Sequence, residues 1–226
     1  MIVFVAGMQR SGSTFAFNVA RDVLMARGDV HQEVSGDAAA TLSRAGRARH
    51  VLMKAHSADA PTLALARHGA LRAILTVRRV EDAAASWIGT FGWSEAETVQ
   101  HLRAWLALYA ELRGVALVVP YADLDRRPWR VARRIGRYLA PDVGALEALH
   151  IVRRHGKAAV KRRTDAMARD DSGIQDIGFS YYDQTTYFHR HHVTSLRSRP
   201  AEARLPPDQI ARLRAALAPD IAAAGL

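Results

Sequence analysis

Gly7-Met8-Gln9-Arg10-Ser11-Gly12-Ser13-Thr14 follows directly on the apolar run Ile2-Val3-Phe4-Val5-Ala6 and leads into Phe15 to Met25, apolar at helical spacing. A buried strand, a glycine-bearing turn and a helix in that order make a phosphate cradle, because free backbone N–H groups and the positive helix end converge on one point. The spacing is G-x-x-x-x-G, as in a P-loop, but Ser13 stands where a nucleotide kinase carries Lys. A kinase-type loop needs that Lys together with a metal held by the next hydroxyl. Thr14 keeps the hydroxyl, whereas the positive charge has moved inside the loop, to Arg10. An Arg at that place suits a 5′-phosphate or phosphosulfate held without a metal.

Outward from this loop, apolar runs alternate with helical patterns along the whole chain. That alternation predicts an α/β fold with a mostly parallel sheet between helical layers. Strands are expected at 2–6, 51–54, 72–77 and 115–120, with a weaker one at 29–34. Helices are expected over 14–27, 37–48, 60–68, 80–90, 94–112 and 128–139. A last amphipathic helix over 207–217 carries Ile210, Leu213 and Leu217 on one face, with Pro206 and Pro207 at its start. No linker or repeat divides the chain, so 1–226 reads as one domain. The stretch 172–204 is polar, rich in His and Arg and poorly periodic, which predicts an ordered loop near a ligand or a lid over it.

The 226 residues, 49% of them hydrophobic, suffice for one sizeable core. Absence of Cys excludes disulfides, cysteine-held zinc and a thiol nucleophile. No apolar run approaches the roughly 20 residues of a membrane span, and the first strand reads from residue 2 without room for a signal peptide. A cytoplasmic protein is the expectation. The formal net charge of +10 invites a nucleic-acid or anionic-membrane reading. However, Lys54, Lys157 and Lys161 are the only lysines, and Arg is scattered through an Ala-rich chain as a coding bias would leave it. Only Arg153 to Arg163 concentrates charge, either as a solvated helix face or as an attractor for an acidic acceptor.

Ligands of open α/β sheets bind beyond the carboxyl ends of the strands. The predicted strand ending at Met53 runs into Lys54-Ala55-His56, which places a cation and an imidazole beside the loop. The predicted strand Ala73 to Val77 ends in Arg78-Arg79, with Glu81 and Asp82 in the first turn of the next helix and Ser86 eight residues after Arg78. Arg forks two N–H groups onto a phosphate, and a hydroxyl adds a third donor. The predicted strand Val115 to Val119 runs into Pro120-Tyr121-Ala122-Asp123-Leu124. An imidazole titrates near neutral pH and suits proton abstraction.

Together these segments resemble the sulfotransferases that use 3′-phosphoadenosine 5′-phosphosulfate (PAPS), in particular the short bacterial members. Arg10-Ser11-Gly12-Ser13-Thr14-Phe15 fits the family's basic-Ser-Gly-(Ser/Thr)-(Ser/Thr)-aromatic loop at every position. Lys54-x-His56 is similar to the family's Lys-x-His, which implies His56 as general base and Lys54 on the sulfuryl oxygens. Arg78 and Ser86 match the second phosphate motif, which implies a 3′-phosphate site. Tyr121-x-Asp123-Leu124 is similar to the family's Tyr-x-Asp-Leu, which implies Tyr121 against adenine with Phe15 on the other side. Phe188-His189-Arg190-His191-His192-Val193-Thr194-Ser195 looks like a His-rich segment closing over the 3′-phosphate, which suggests Arg190, Ser195 and Arg197 as further ligands. The Gly-x-Trp that often follows in the family is missing from Arg199 to Leu205. The adjacent histidines cannot all converge on one ion, and no metal is expected.

The resemblance covers roughly 1–125 and implies transfer of a sulfuryl group from PAPS to an acceptor hydroxyl, less readily an amine, with Arg10, Lys54 and His56 catalytic. Ser11, Gly12, Ser13 and Thr14 would contribute to the 5′-phosphate cradle. Two rival readings stay open: an ATP-dependent small-molecule phosphotransferase, and a non-catalytic basic module for nucleic acid or anionic lipid. The acceptor is expected to be a small molecule, glycan or lipid, met by segments 31–47, 87–98 and 155–185. No specific nucleic acid is expected as a partner, and the contact with a membrane is at most peripheral. Glu33 is the alternative base. The oligomeric state is not legible in the sequence.

Overall fold

The computed structural model describes residues 1–178 and 180–226. Five strands, β1 (Ile2–Ala6), β2 (Val30–Glu33), β3 (His50–Ala55), β4 (Arg72–Val77) and β5 (Leu117–Pro120), form one sheet in the order β2-β3-β1-β4-β5. Every pairing in it is parallel. Period-two alternation sends Phe4, Met53 and Leu75 to one face and Val3, Val5, Leu52 and Ile74 to the other, so each face builds its own apolar cluster. Both faces are buried, which explains why these strands read as continuous apolar runs.

The first face is covered by α2 (Ala38–Ala45), α3 (Ala60–Arg67), α4 (Val80–Phe91), α5 (Glu95–Leu112) and α10 (Pro207–Ala224). Trp105 of α5 is its largest fully buried side chain, and its indole N–H donates to Ala6 O at 3.4 Å. α5 starts at Ser94 with reciprocal bonds between Ser94 and Glu97, which satisfy orphan donors of its first turn. The second face is covered by α1 (Ser13–Met25), α7 (Pro128–Leu139) and α8 (Ala145–His155). α6 (Tyr121–Arg126) links β5 to α7, and α9 (Lys157–Ala166) follows α8. The result is the expected three-layer α/β architecture.

Four segments differ from the sequence reading. Tyr121 opens the short helix α6, to which the sequence reading assigned no element, because Pro120 supplies an extended N-cap and ends the strand. The span 140–166 holds α8 and α9, which the charge of Arg153 to Arg163 had hidden; Ala148, Ile151 and His155 are nevertheless buried at helical spacing. α10 continues past 217 and through Pro219 to Ala224, since Leu217 and Ala224 are both in the core; Gly225 closes it in the left-handed region. Within 172–204, β6 (Ile174–Asp176) and β7 (Tyr181–Asp183) form an antiparallel pair and 201–203 a 3₁₀ turn.

Candidate active site

The loop after β1 is pinned from beneath. The buried Ser11 hydroxyl bonds Met8 O at 2.5 Å, Thr76 O at 3.0 Å and Thr76 Oγ1 at 2.6 Å, and Met8 N–H donates to Thr76 O at 2.9 Å. Ser11, expected in the 5′-phosphate cradle, therefore acts as a staple between β1 and β4, with its hydroxyl and its N–H both turned to protein. Gly12 lies at φ 86° as the N-cap of α1, with no side-chain cap. A Cβ there would come within 2.7 Å of Leu124 Cδ1. The N–H groups of Gly12, Ser13, Thr14 and Phe15 have no hydrogen-bond partner among the described residues. Four convergent donors at a helix start constitute an anion cradle.

Arg10 arches over this cradle at φ 62°, a conformation that non-glycine residues seldom adopt. Its Nε donates to Ser86 Oγ at 3.1 Å, its carbonyl accepts from Arg78 Nη1 at 3.2 Å, and its guanidinium lies 5.7 Å from the Phe91 ring. Burial, and secondly the charge of Arg78, bring its pKa down to about 10. Strands β1 and β4 are adjacent, so the two residues that follow their carboxyl ends are brought together as the sequence reading required.

These groups open onto a cleft whose walls include Arg10, Gly12, Phe15, Arg78, Ser86, Tyr121, Ser195 and Arg197 of the sequence-derived set. Ser11, Ser13, Thr14, Lys54 and His56 do not line it. The walls add Lys157, Arg204, Ser198 and His155, which the sequence reading missed. Asp125 is the only acidic residue along these walls, and Lys157 is paired with it. Arg10, Arg78, Arg197 and Arg204 have no carboxylate partner among the described residues, and the buried Nε atoms of Arg78 and Arg204 have no acceptor. Burial, and then Arg78, lower the pKa of Arg204 as well. Like charges held together with unsatisfied donors fit a ligand that carries more than one anionic group.

Arg78 lies over the Tyr121 ring at 4.4 Å and Lys157 stands 5.3 Å away, while the tyrosine hydroxyl bonds Ser198 Oγ at 3.0 Å. The ring thus holds two cations in place by cation–π attraction. Arg190 is displaced from its expected role: its Nη1 donates to Thr164 O at 2.9 Å and pairs with Asp165, and it does not line the cleft.

At the carboxyl end of β3, His56 Nδ1 bonds Gly7 O at 2.5 Å. A carbonyl can only accept, so Nδ1 carries the hydrogen and the Nε2 lone pair is free. Burial, with Lys54 next, pushes its pKa down to about 4. Lys54 is buried and has no hydrogen-bond or ion-pair partner among the described residues; burial brings its pKa down to about 8. His189, also held down to about 4 by burial, feels the charges of Lys54 and Arg10, as does His192, a residue of the cleft wall. The two rings stack with centroids 6.0 Å apart. His192 thus lines the cleft while both rings feel the charge of Lys54, in the segment expected to cover the 3′-phosphate. Glu33, at the end of β2, is engaged by Arg44 at 2.6 Å, which together with His31 keeps its carboxyl below the usual range. Among the described residues no group of three or more His, Cys, Asp or Glu side chains could hold a metal, and no helix is long and apolar enough to cross a membrane.

No protein-family model matches the chain, and no curated protein matches it in sequence. Solved structures match it closely in fold. A mouse sulfotransferase, SULT7A1, complexed with PAP superposes with a TM-score of 0.66 at 14% identity, over 97% of this chain and 83% of that one. Retinol dehydratase in complex with androsterone and the inactive cofactor PAP gives 0.62 at 11% identity, over 97% and 80%. The same enzyme with retinol and PAP gives 0.59 at 11%, over 97% and 80%. The chain has the fold of these PAP-binding sulfotransferases.

Proposed function

We propose that the protein is a sulfotransferase that takes a sulfuryl group from PAPS to the hydroxyl of a small-molecule, glycan or lipid acceptor, with an amine as the lesser alternative. The observation that carries this reading is the joining of two phosphate subsites through Arg10, which reaches Ser86 while its carbonyl holds Arg78. The free N–H groups of residues 12–15 and Arg10 would hold the 5′-phosphate end, and Arg78, Ser86, Arg197 and Ser195 the 3′-phosphate. When bound, PAPS supplies an activated sulfuryl group whose leaving group is a phosphate.

The rest is the work of this chain's own side chains. His56 Nε2, with its lone pair fixed by the Nδ1–H bond to Gly7 O, would take the acceptor proton. Lys54, buried and without a side-chain partner among the described residues, would offset negative charge beside it. Phe91 and the stacked pair Trp87–Trp93, 4.6 Å apart and joined by His101, continue from Ser86 along α4 and beyond, and would form an aromatic wall on the acceptor side. The fold neighbours that carry a steroid or retinol beside PAP support a small-molecule acceptor.

Calorimetry with PAP, AMP and ATP tests the reading. PAP should bind without Mg²⁺ and far more tightly than AMP or ATP, and Arg78→Ala should remove about 1.5–3 kcal/mol of that affinity, the worth of a charged hydrogen bond. Equal affinity for PAP and AMP, or binding of ATP alone with Mg²⁺, would overturn it.

A further inference from the structure

Charge is concentrated in the sequence at Arg153 to Arg163, but the fold pairs much of it internally: Arg154 with Asp22, Lys157 with Asp125 and Lys161 with Asp165. A second basic run behaves differently. Arg126, Arg127, Arg130, Arg133, Arg134 and Arg137 fall within twelve residues, and no acidic residue occurs from position 126 to 141. None of the six has a carboxylate partner among the described residues, and Arg133 Nε is buried without an acceptor. In the opposite layer, by contrast, Arg67, Arg103, Arg212 and Arg214 all hold carboxylates.

Helix geometry gives this run a direction. Val131, Ala132, Ile135, Gly136 and Leu139 of α7 are buried. At about 3.6 residues per turn, the side opposite them consists of Arg130, Arg133, Arg134 and Arg137, with Trp129 and Tyr138 on its two flanks. Arg130, Arg134 and Arg137 are exposed, and both flanking rings are half-buried. Each ring carries a guanidinium: Arg130 lies 5.2 Å from Trp129, and Arg72 lies 5.4 Å from Tyr138. Arginines spaced i, i+3, i+4 and i+7 repel one another, so this face weakens the isolated chain and gains only from anions outside it.

The shape of the face says which anions. A phosphodiester backbone is a line of charge, and proteins follow it with a groove or a row of cations. Here the guanidinium groups fan across the whole outer side of a helix, edged by two rings that are apolar in body and polar at the tip. Such a field fits a layer of phosphate headgroups, where Trp and Tyr settle at headgroup level and guanidinium groups fork onto phosphate oxygens. The apolar side of α7 is in the core, so the contact is adsorption by charge, without insertion of the helix. We propose that the outer face of α7, extended by Arg126, Arg127 and Arg72, docks the protein on membranes rich in anionic phospholipid. The proposal is independent of the PAPS reading. α7 starts at Pro128 on the cleft wall, so docking would keep the site close to the bilayer.

Vesicle flotation tests it, with pure phosphatidylcholine vesicles and with vesicles carrying about one-third phosphatidylserine. The protein should float with the anionic vesicles, stay behind with the neutral ones, and be released as salt is raised to about 0.5 M. Arg130→Gln, Arg134→Gln and Arg137→Gln combined should weaken the binding about a hundredfold. Arg47→Gln, Arg67→Gln and Arg113→Gln combined remove the same charge from the opposite layer, after α2, at the end of α3 and after α5, and should change it about threefold or less. Should the first combination fail to fold, tryptophan emission of the native protein decides: it should shift on adding anionic vesicles, and the shift should be absent from Trp129→Phe. Equal flotation with both vesicle types, equal losses in the two combinations, or a shift that persists in Trp129→Phe would overturn the proposal. Binding to DNA without binding to the anionic vesicles would overturn it in favour of a nucleic acid.

Discussion

Lys54 is buried and His56 half-buried at the carboxyl end of one strand, and both are pushed toward their neutral forms, which frees the imidazole lone pair and works against the lysine's charge. An imidazole that titrates at about 4 is neutral across the physiological range, so His56, as the proposed base, would have no proton to lose before acting. This differs from the expectation of a pKa near neutrality, and burial is the reason. With Lys54 brought down to about 8, kcat/KM should rise with pH through about 4 and fall again above about 8, as the lysine loses its charge. His56→Gln should lower kcat by roughly 10²–10⁴, leave PAP affinity nearly unchanged and abolish the acidic limb; a limb that persists in this variant would place the base elsewhere. Lys54 also burdens the fold. Its unfolded chain holds the proton up to about 10.5 and the native state only to about 8, a difference of about 3 kcal/mol. The sign follows from a depressed cation: the penalty is complete below about pH 8 and vanishes as pH rises through about 10.5. At pH 7 Lys54→Met should therefore raise stability by about 2–3 kcal/mol in urea unfolding, while it removes turnover. A destabilised Met variant would mean that the lysine has a partner of its own.

The turn between β1 and α1 shows how far local sequence can carry an argument. Its strand, its glycines and the apolar helix after it are all local, so the order of elements, the position of Arg10 and the start of α1 are legible in the residues alone. Gly7 is the tightest point in it: a Cβ there would overlap both Ser13 Cβ and Thr76 Oγ1, neither of which can swing away. Gly7→Ala should cost about 3 kcal/mol or more and abolish PAP binding, measured by thermal unfolding and calorimetry. A variant of native stability with PAP affinity intact would show that the loop has slack. Elsewhere the local signal carries less. Ser11 reads in sequence as part of the phosphate cradle, and only the adjacency of β1 and β4 turns its hydroxyl inward to Thr76. Arg78 and Lys157, which lie within cation–π reach of Tyr121, are 43 and 36 positions away from it in the chain, so no window of sequence could have revealed them. α8 and α9 are masked by charge, because three basic residues at the end of α8 outweigh its thin buried stripe of Ala148, Ile151 and His155.

At the scale of the molecule, the sheet order β2-β3-β1-β4-β5 puts the phosphate loop on the central strand, with the Lys54–His56 strand on one side and the Arg78 strand on the other. The parallel sheet and its two apolar faces are readable because β1, β3, β4 and β5 each hold a short apolar run. The assembly of the cleft is not, since its far wall comes from 188–204, where no periodicity marks which side chains turn inward. That wall is fastened at both ends: Arg190 to Thr164, and the 3₁₀ turn to α4 through Ala201 N–H on Asp82 and Glu202 on Arg79. Such stitching has a kinetic meaning. Contacts that join residue 10 to 86, 82 to 201 and 22 to 155 close very long loops, and these form late in folding. During refolding from urea, the helical far-UV signal should recover first and PAP binding only with the slowest phase, because nothing short of the finished knot presents both phosphate subsites. Recovery of both signals in one phase would show instead that the far wall docks together with the sheet. Where binding does lag, the ligand becomes a timer: on the ribosome, a nascent chain that has not yet released residue 204 can hold most of its sheet and still lack the wall that the proposed nucleotide needs.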